Sequence, residues 1–221
     1  MRNTMAAGPI VTKNRRRMST SSVFGVSSAV TVRGSRAIPQ IGHAPGAERT
    51  ICACIGQTYS VLDGKGFVAA HAGLTAFFSW PEFGEMIGGR FDEHPWGIIN
   101  APVLVEDPKF PGMAHLPASF EHIDEYYQVK DFSRSQSHVI LRLDVSHLDR
   151  NGALVHHKDA DWPLAWAKMY GKGRVYYSAL GHDPSTWDDR AVEEMYFEAI
   201  RWALKLTDAD IAPRAYLPSP P

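Results

Sequence analysis

The pattern of apolar and polar positions changes character near residue 61. Residues 1–60 hold no sustained period of 2 or 3.6; Gly, Ser, Pro and Arg dominate, and the apolar stretches at Val23-Phe24 and Ile51 to Ile55 stand alone. Such a segment has too little clustered apolar surface to offset chain entropy, so 1–60 is expected to be an atypical, largely disordered leader. From Val61 onward apolar runs alternate with turn signals, the pattern of a compact α/β domain. The run Gly66-Phe67-Val68-Ala69-Ala70-His71-Ala72-Gly73 predicts a buried strand over Gly66–Ala70 that delivers one imidazole to a small-residue turn. Phe77 to Ile87 predicts a short helix with Pro81 near its first turn and Gly88-Gly89 closing it. A polar and aromatic loop, Gly89 to Gly97, leads into a strand from Ile98 to Val105.

A Pro-rich connection over 106–118 precedes a strand pattern from Phe120 to Val129 that contains Asp124-Glu125-Tyr126-Tyr127. Val139, Leu141 and Leu143 alternate with Ile140, Arg142 and Asp144, which predicts a strand with one wetter face. After a polar loop at 145–160, the apolar runs Trp162 to Tyr170 and Arg174 to Leu180 flank Gly171-Lys172-Gly173 and predict a hairpin. Gly66–Ala70 and Arg174–Leu180 are expected to be interior strands. Val192, Met195, Ala199, Trp202 and Leu206 recur at helical steps, with acids before them and Arg201 and Lys205 near the end, so a C-terminal helix is expected from about Asp189 to Lys205. The domain therefore spans 61–207, with 208–221 a Pro-rich tail.

Composition adds bounds. With 221 residues and 44% hydrophobic content the chain can build one sizeable core. No stretch approaches eighteen uninterrupted apolar residues, and the N-terminus lacks the apolar core of a secretory signal, so a cytoplasmic protein without membrane contact is expected. The net charge of −1 conceals an asymmetry: residues 1–60 carry eight basic residues against the single acid Glu48, and the remainder is acidic. The leader has only one short basic cluster, Arg15-Arg16-Arg17, without aromatic interleaving, so no nucleic-acid partner is expected. Cys52 and Cys54 are too close for an ordinary disulfide and too few for a structural zinc site, and read as incidental thiols.

Three histidines are candidates for chemistry. His71 and His182 each follow a predicted strand, and His94 sits on a loop where Pro95 restricts it to an extended conformation. If the two strands are neighbours, both imidazoles emerge at one edge of the sheet. Three imidazoles lining one pocket suit acid–base work on sugar hydroxyls, or hold a divalent metal with Asp124 or Glu125 completing the shell. No HxH or HxxxH spacing joins them, so the cofactor stays open. Trp96, Tyr127 and Trp187 offer flat apolar surfaces for a pyranose ring, and Asp92, Glu93, Asp124 and Glu125 offer acceptors for its hydroxyls. The competing reading makes His71 a hydrogen-bonded core residue, the aromatics plain packing, and the paired acids a solvated face or helix caps.

Four segments carry a family resemblance: Gly64-Lys65-Gly66-Phe67-Val68-Ala69-Ala70-His71-Ala72, Gly88-Gly89-Arg90-Phe91-Asp92-Glu93-His94-Pro95-Trp96, Phe120-Glu121-His122-Ile123-Asp124-Glu125-Tyr126-Tyr127, and Tyr170 to His182. In this order, over roughly 61–207, the chain resembles the ThuA-like (trehalose utilisation) family. The resemblance implies an α/β fold similar to the class I glutamine amidotransferase and flavodoxin-like domains, with a mostly parallel sheet flanked by helices. It also implies bacterial sugar metabolism, with trehalose-like disaccharides or their 3-keto derivatives as substrates and an oxidoreductase acting in the same pathway. Two departures alter the expectation. The strand-end turn offers Ala70-His71-Ala72 and no cysteine follows Cys54, so glutaminase chemistry is not expected. Residues 1–60 do not resemble the family's opening strand, helix, strand unit, as a shifted frame or wrong start site would leave them, so the fold is expected to lack a normal N-terminal βαβ unit. The alternatives are a non-catalytic carbohydrate-binding or structural module and a metal-dependent hydrolase.

Overall fold

Residues 58–216 are described by the computed structural model, which opens with a helical turn at 58–62 that buries Thr58 and Val61. The expected leader lies almost wholly outside the described residues. Strand β1, Phe67–Ala70, runs parallel to β8, Gly173–Ser178, with Phe67 opposite Val175 and Ala70 opposite Ser178. The predicted hairpin joins β7, Pro163–Tyr170, to β8, with Tyr170 opposite Gly173 and a turn in which Gly171 takes φ +59°. A Cβ at 171 would also fall 2.9 Å from Leu62 Cα, so glycine serves both the turn and its close approach. β7 pairs antiparallel with β6, His138–Leu143; β6 pairs with β3, Ile98–Val105; and β3 pairs with β4, Ser119–Glu125. The sheet order is β1-β8-β7-β6-β3-β4, and a separate ribbon pairs β2, Arg90–Glu93, with β5, Gln128–Lys130.

The α/β class stands, but the expected mostly parallel sheet is replaced by a mixed, curled one in which, among the described strands, only β1 and β8 are parallel neighbours. Parallel neighbours need a long crossover, usually a helix, whereas β7 and β8 are joined by a two-residue turn and no helix lies between β3 and β4 or between β6 and β7. β8 is interior as expected. β1 is not: among the described strands it lies at the edge, with Ala69 its one buried residue. The expected wetter face of β6 is also absent, since all six residues are buried. Its polar members are paired inside, Arg142 to Glu106 at 3.0 Å and His138 to Asp107 at 2.8 Å, which lets a charged side chain sit in a central strand.

Helix α1, Pro81–Ile87, has Pro81 in its first turn and ends on Gly88 at φ +99°, as the sequence predicts. It buries Phe83, Met86 and Ile87. Helix α2, Arg190–Ala203, starts on an Asp189 cap that accepts from the Ala191 N–H at 2.8 Å, and it buries Val192, Met195, Tyr196, Ala199 and Trp202. Leu206, expected on this apolar face, is exposed because the helix stops at Ala203. The chain then continues along the domain: the carbonyl of Ala212 accepts from His138 Nδ1 at 2.8 Å, and the Tyr216 ring lies beneath the Arg134 and Arg142 guanidinium groups. Among the described residues no helix is long and apolar enough to cross a membrane.

Gly66 sets the approach of β1 to α2. A Cβ there would fall 2.7 Å from the carbonyl carbon of Ala203 and closer still to its oxygen, and neither is a flexible side-chain end. Gly66→Ala should therefore cost roughly 1–3 kcal/mol through forced separation of strand and helix. Urea unfolding should show a lowered midpoint with an unchanged slope.

Candidate functional site

His71 is the hinge between β1 and a 3-10 turn, His71–Thr75, and its backbone is left-handed at φ +38°. That region is disfavoured for a residue with a Cβ and persists where surrounding contacts over-determine it. The contacts are specific. Nδ1 donates to the carbonyl of Ala179 at 2.7 Å, the His71 carbonyl accepts from the Tyr177 hydroxyl at 3.0 Å, and the ring lies 4.1 Å from that of Tyr127. A carbonyl can only accept, so Nδ1 carries a proton. The other ring nitrogen, Nε2, faces Glu125 Oε2 at 3.3 Å and His182 Nδ1 at 3.2 Å.

His182 follows β8 in the loop 179–183, and its position is set by its backbone. Asp124, wholly buried near the end of β4, accepts at Oδ1 from the N–H groups of Glu125, His182 and Asp183 at 2.8, 2.9 and 3.1 Å. At Oδ2 it accepts from the Gly181 N–H at 2.6 Å and the Thr186 hydroxyl at 3.1 Å. Burial pushes this carboxyl up, but the His122 ring nitrogen 3.6 Å away and the hydrogen bonds from the surrounding backbone N–H groups outweigh it and hold the group at about 2, below its ordinary 3.8. A carboxyl depressed on folding contributes stability that is full above the unfolded value and is lost as pH falls toward the folded one. Thermal stability should therefore drop by about 2 kcal/mol between pH 5 and pH 2 on this account, and calorimetry across that range should show a shallower fall for Asp124→Asn than for the native chain.

Glu125 is the meeting point. Its Oε2 lies 3.3 Å from His71 Nε2 and 3.2 Å from His182 Nδ1, and its Oε1 lies 3.7 Å from Nδ1 of His94. β1 and β4 lie at opposite ends of the six described strands, so a contact between the residue that follows β1 and the last residue of β4 means that the sheet curls until these two ends approach at this point. His94 reaches the cluster from the loop after β2, half-exposed, with its N–H donating to Glu93 Oε1 at 2.9 Å. The structure thus brings His71, His94 and His182 to one carboxylate.

The other expected site residues divide. Tyr127 is buried against His71, and burial together with the charges of Glu125 and Asp124 raises its hydroxyl to about 12, so it stays a neutral phenol. Trp96 is engaged elsewhere: its indole N–H donates to the carbonyl of Asp149 at 3.0 Å and its ring rests on Trp162. Asp92 is taken by Gln128 at 2.6 Å and His156 at 2.7 Å. Trp187 is half-exposed beside Gly181, with its N–H donating to the Gly181 carbonyl at 3.1 Å. Sequence reasoning missed the supporting groups, the Ala179 carbonyl, His122 and Thr186. A signal for one of them was present, since Phe120, His122 and Asp124 alternate along β4 and place polar groups on the inward face, while Ile123 points outward, half-exposed.

Among the described residues, His71, Glu125 and His182 form the group that could hold a metal ion, their ligand atoms lying within 4.8 Å of one another. The Nδ1 donation from His71 to a backbone carbonyl is the support that orients a metal-binding imidazole. The same three basic atoms can instead share a proton. A separate groove of about 700 Å³ between Lys168, Tyr170 and 209–213 lies toward the far end of β7 and holds none of these groups.

The chain matches the model of the ThuA family, described as trehalose utilisation, over residues 57–203. Among solved structures it is similar to a ThuA-like protein from Bacteroides uniformis, with 25% identity and a TM-score of 0.55, covering 67% of this chain and 62% of that one. It shares its fold with a ThuA-like protein from Parabacteroides merdae, with 20% identity and a TM-score of 0.52, covering 69% of this chain and 64% of that one. The chain thus spans somewhat less than two thirds of the length of these relatives. It matches no curated protein.

Proposed function

Because the chain belongs to the ThuA (trehalose utilisation) family, we propose that it acts on trehalose-like disaccharides or their 3-keto derivatives through acid–base chemistry at His71, His182 and Glu125. One observation carries this reading: three basic atoms, His71 Nε2, Glu125 Oε2 and His182 Nδ1, converge within hydrogen-bond reach of one another. A proton held among them can be given to, or received from, a hydroxyl or a carbon beside a keto group placed at the cluster. His71 is locked by the Ala179 carbonyl and the Tyr127 ring, so its Nε2 is aimed before substrate arrives. His94 is half-exposed and contacts the other oxygen of Glu125, which suits it to meet substrate at the rim. A 3-keto substrate would be supplied by an oxidoreductase that oxidises the disaccharide first.

A second reading is favoured by the 4.8 Å convergence and the backbone-supported His71: the same atoms bind a divalent cation, which would polarise a sugar oxygen. The two are separated by following trehalose and 3-keto-trehalose by NMR with the purified full chain, before and after chelation and then with added Zn²⁺ or Mn²⁺. Acid–base chemistry predicts turnover that survives chelation; the metal reading predicts loss and restoration. Sugar binding with no turnover in any arm would leave a carbohydrate-binding module instead.

A further inference from the structure

The carboxylate of Asp124 has the chemistry of a sugar-hydroxyl acceptor, yet it is wholly buried and both of its oxygens are already filled by five donors of the chain itself. Three of those donors are the consecutive N–H groups of 181, 182 and 183. Gly181 sits at φ +133°, with Trp187 packed where a Cβ would project, so the loop makes a sharp bend that wraps its amides around one anion. The fifth donor, Thr186, ties in the following 3-10 turn, Pro184–Asp188, and also contacts His122 Nε2 at 3.1 Å. β4 reaches the loop across the same closure of the sheet that brings Glu125 to His71. From this geometry we infer that Asp124 is a positioning residue: it clamps the 181–183 loop and thereby holds the His182 ring against His71 and Glu125, without touching substrate itself.

The clamp is directional. Oδ1 fixes the backbone of His182, while the N–H of the next residue in β4, Glu125, binds the same oxygen. One carboxylate therefore sets the relative placement of the two partners of His71. Charge matters as well as shape, because five donors converge and no proton is left for the anion to share. An amide at 124 would offer one accepting oxygen and turn an NH₂ group toward N–H groups, leaving buried donors unpaired.

This inference rests on the reading of His71, Glu125 and His182 as the working site, and its test keeps the two separable. Asp124→Asn, His182→Ala and the double variant are prepared in the full chain, with the thermal transition used to establish folding. In folded Asp124→Asn the amides of 181–183 should exchange about 100-fold faster, as expected for loss of charge-assisted hydrogen bonds, and the proton–proton contact between the His71 and His182 rings should vanish from NMR spectra. Disaccharide turnover should fall to the level of His182→Ala, and the double variant should be no slower than either single one, because Asp124 acts through His182. If Asp124→Asn does not fold, Thr186→Val, which removes one donor and keeps the anion, should show the same changes to a smaller degree. An intact ring contact in folded Asp124→Asn, or losses that multiply in the double variant, would overturn the inference. A lost ring contact in a chain whose wild type turns over no sugar would uphold the clamp and reject the catalytic reading.

Discussion

Replacing His71 with Asn or His182 with Ala should lower turnover of a trehalose-like or 3-keto disaccharide by about 10²–10⁴-fold, the range for losing a positioned acid or base. Asn is the informative replacement at 71 because it tolerates a left-handed backbone better than Ala, and the site requires φ +38°. Its amide can still donate to the Ala179 carbonyl, so the turn should hold while the ring nitrogen facing Glu125 and His182 is lost. At 182 the side chain meets His71 and Glu125 among the described residues, and the loop is kept by backbone donation to Asp124, so truncation should leave the fold intact. Steady-state kinetics with a thermal melt on each variant checks the expectation. Full activity in both would remove these two imidazoles from the chemistry.

Trp202→Ala should destabilise the domain by about 3–5 kcal/mol, the range for truncating a buried aromatic. The ring is almost wholly buried on α2, lies 5.4 Å from Phe110, and is covered by the Arg174 guanidinium at 5.2 Å. Arg174 also donates to the carbonyls of Trp202 and Thr207 and pairs with Asp208, so the cavity would open beneath a side chain that ties the helix end to β8. At this chain size the loss corresponds to a fall of roughly 10–15 °C in Tm. The indole N–H has no hydrogen-bond partner among the described residues, so Trp202→Phe, which keeps a ring and removes that group, should cost distinctly less. Equal losses for Ala and Phe would show that packing of the ring is not what holds α2.

How far the sequence disclosed this molecule depended on the range over which each signal acts. Local signals were legible: Pro81 and Gly88 bounded α1, Asp189 capped α2, and Gly171 with Lys172 made the hairpin. Strand order was not, because pairing across the sheet has no local code. That is why β1 was expected inside the sheet and lies at the edge of the described strands. The buried face of β6 was misread for a related reason. Arg142 looked like a solvent-facing residue, but its partner Glu106 is thirty-six residues away in the sequence. The three histidines were legible as strand-end and proline-fixed positions. The gathering role of Glu125 was not, since it follows from the curl that brings β4 to β1.

The left-handed backbone at His71 sets stability against function in a way that bears on the chain's descent. Glycine or asparagine would adopt φ +38° more readily, so the fold forgoes on the order of 1 kcal/mol to keep an imidazole there. Selection for thermal robustness alone would remove this residue early, whereas selection for chemistry must keep it at that cost. Under the proposed acid–base role, the residue occupying this one turn becomes a criterion for sorting related chains: one with glycine or asparagine at the corresponding place would have a relaxed backbone and no imidazole for the chemistry.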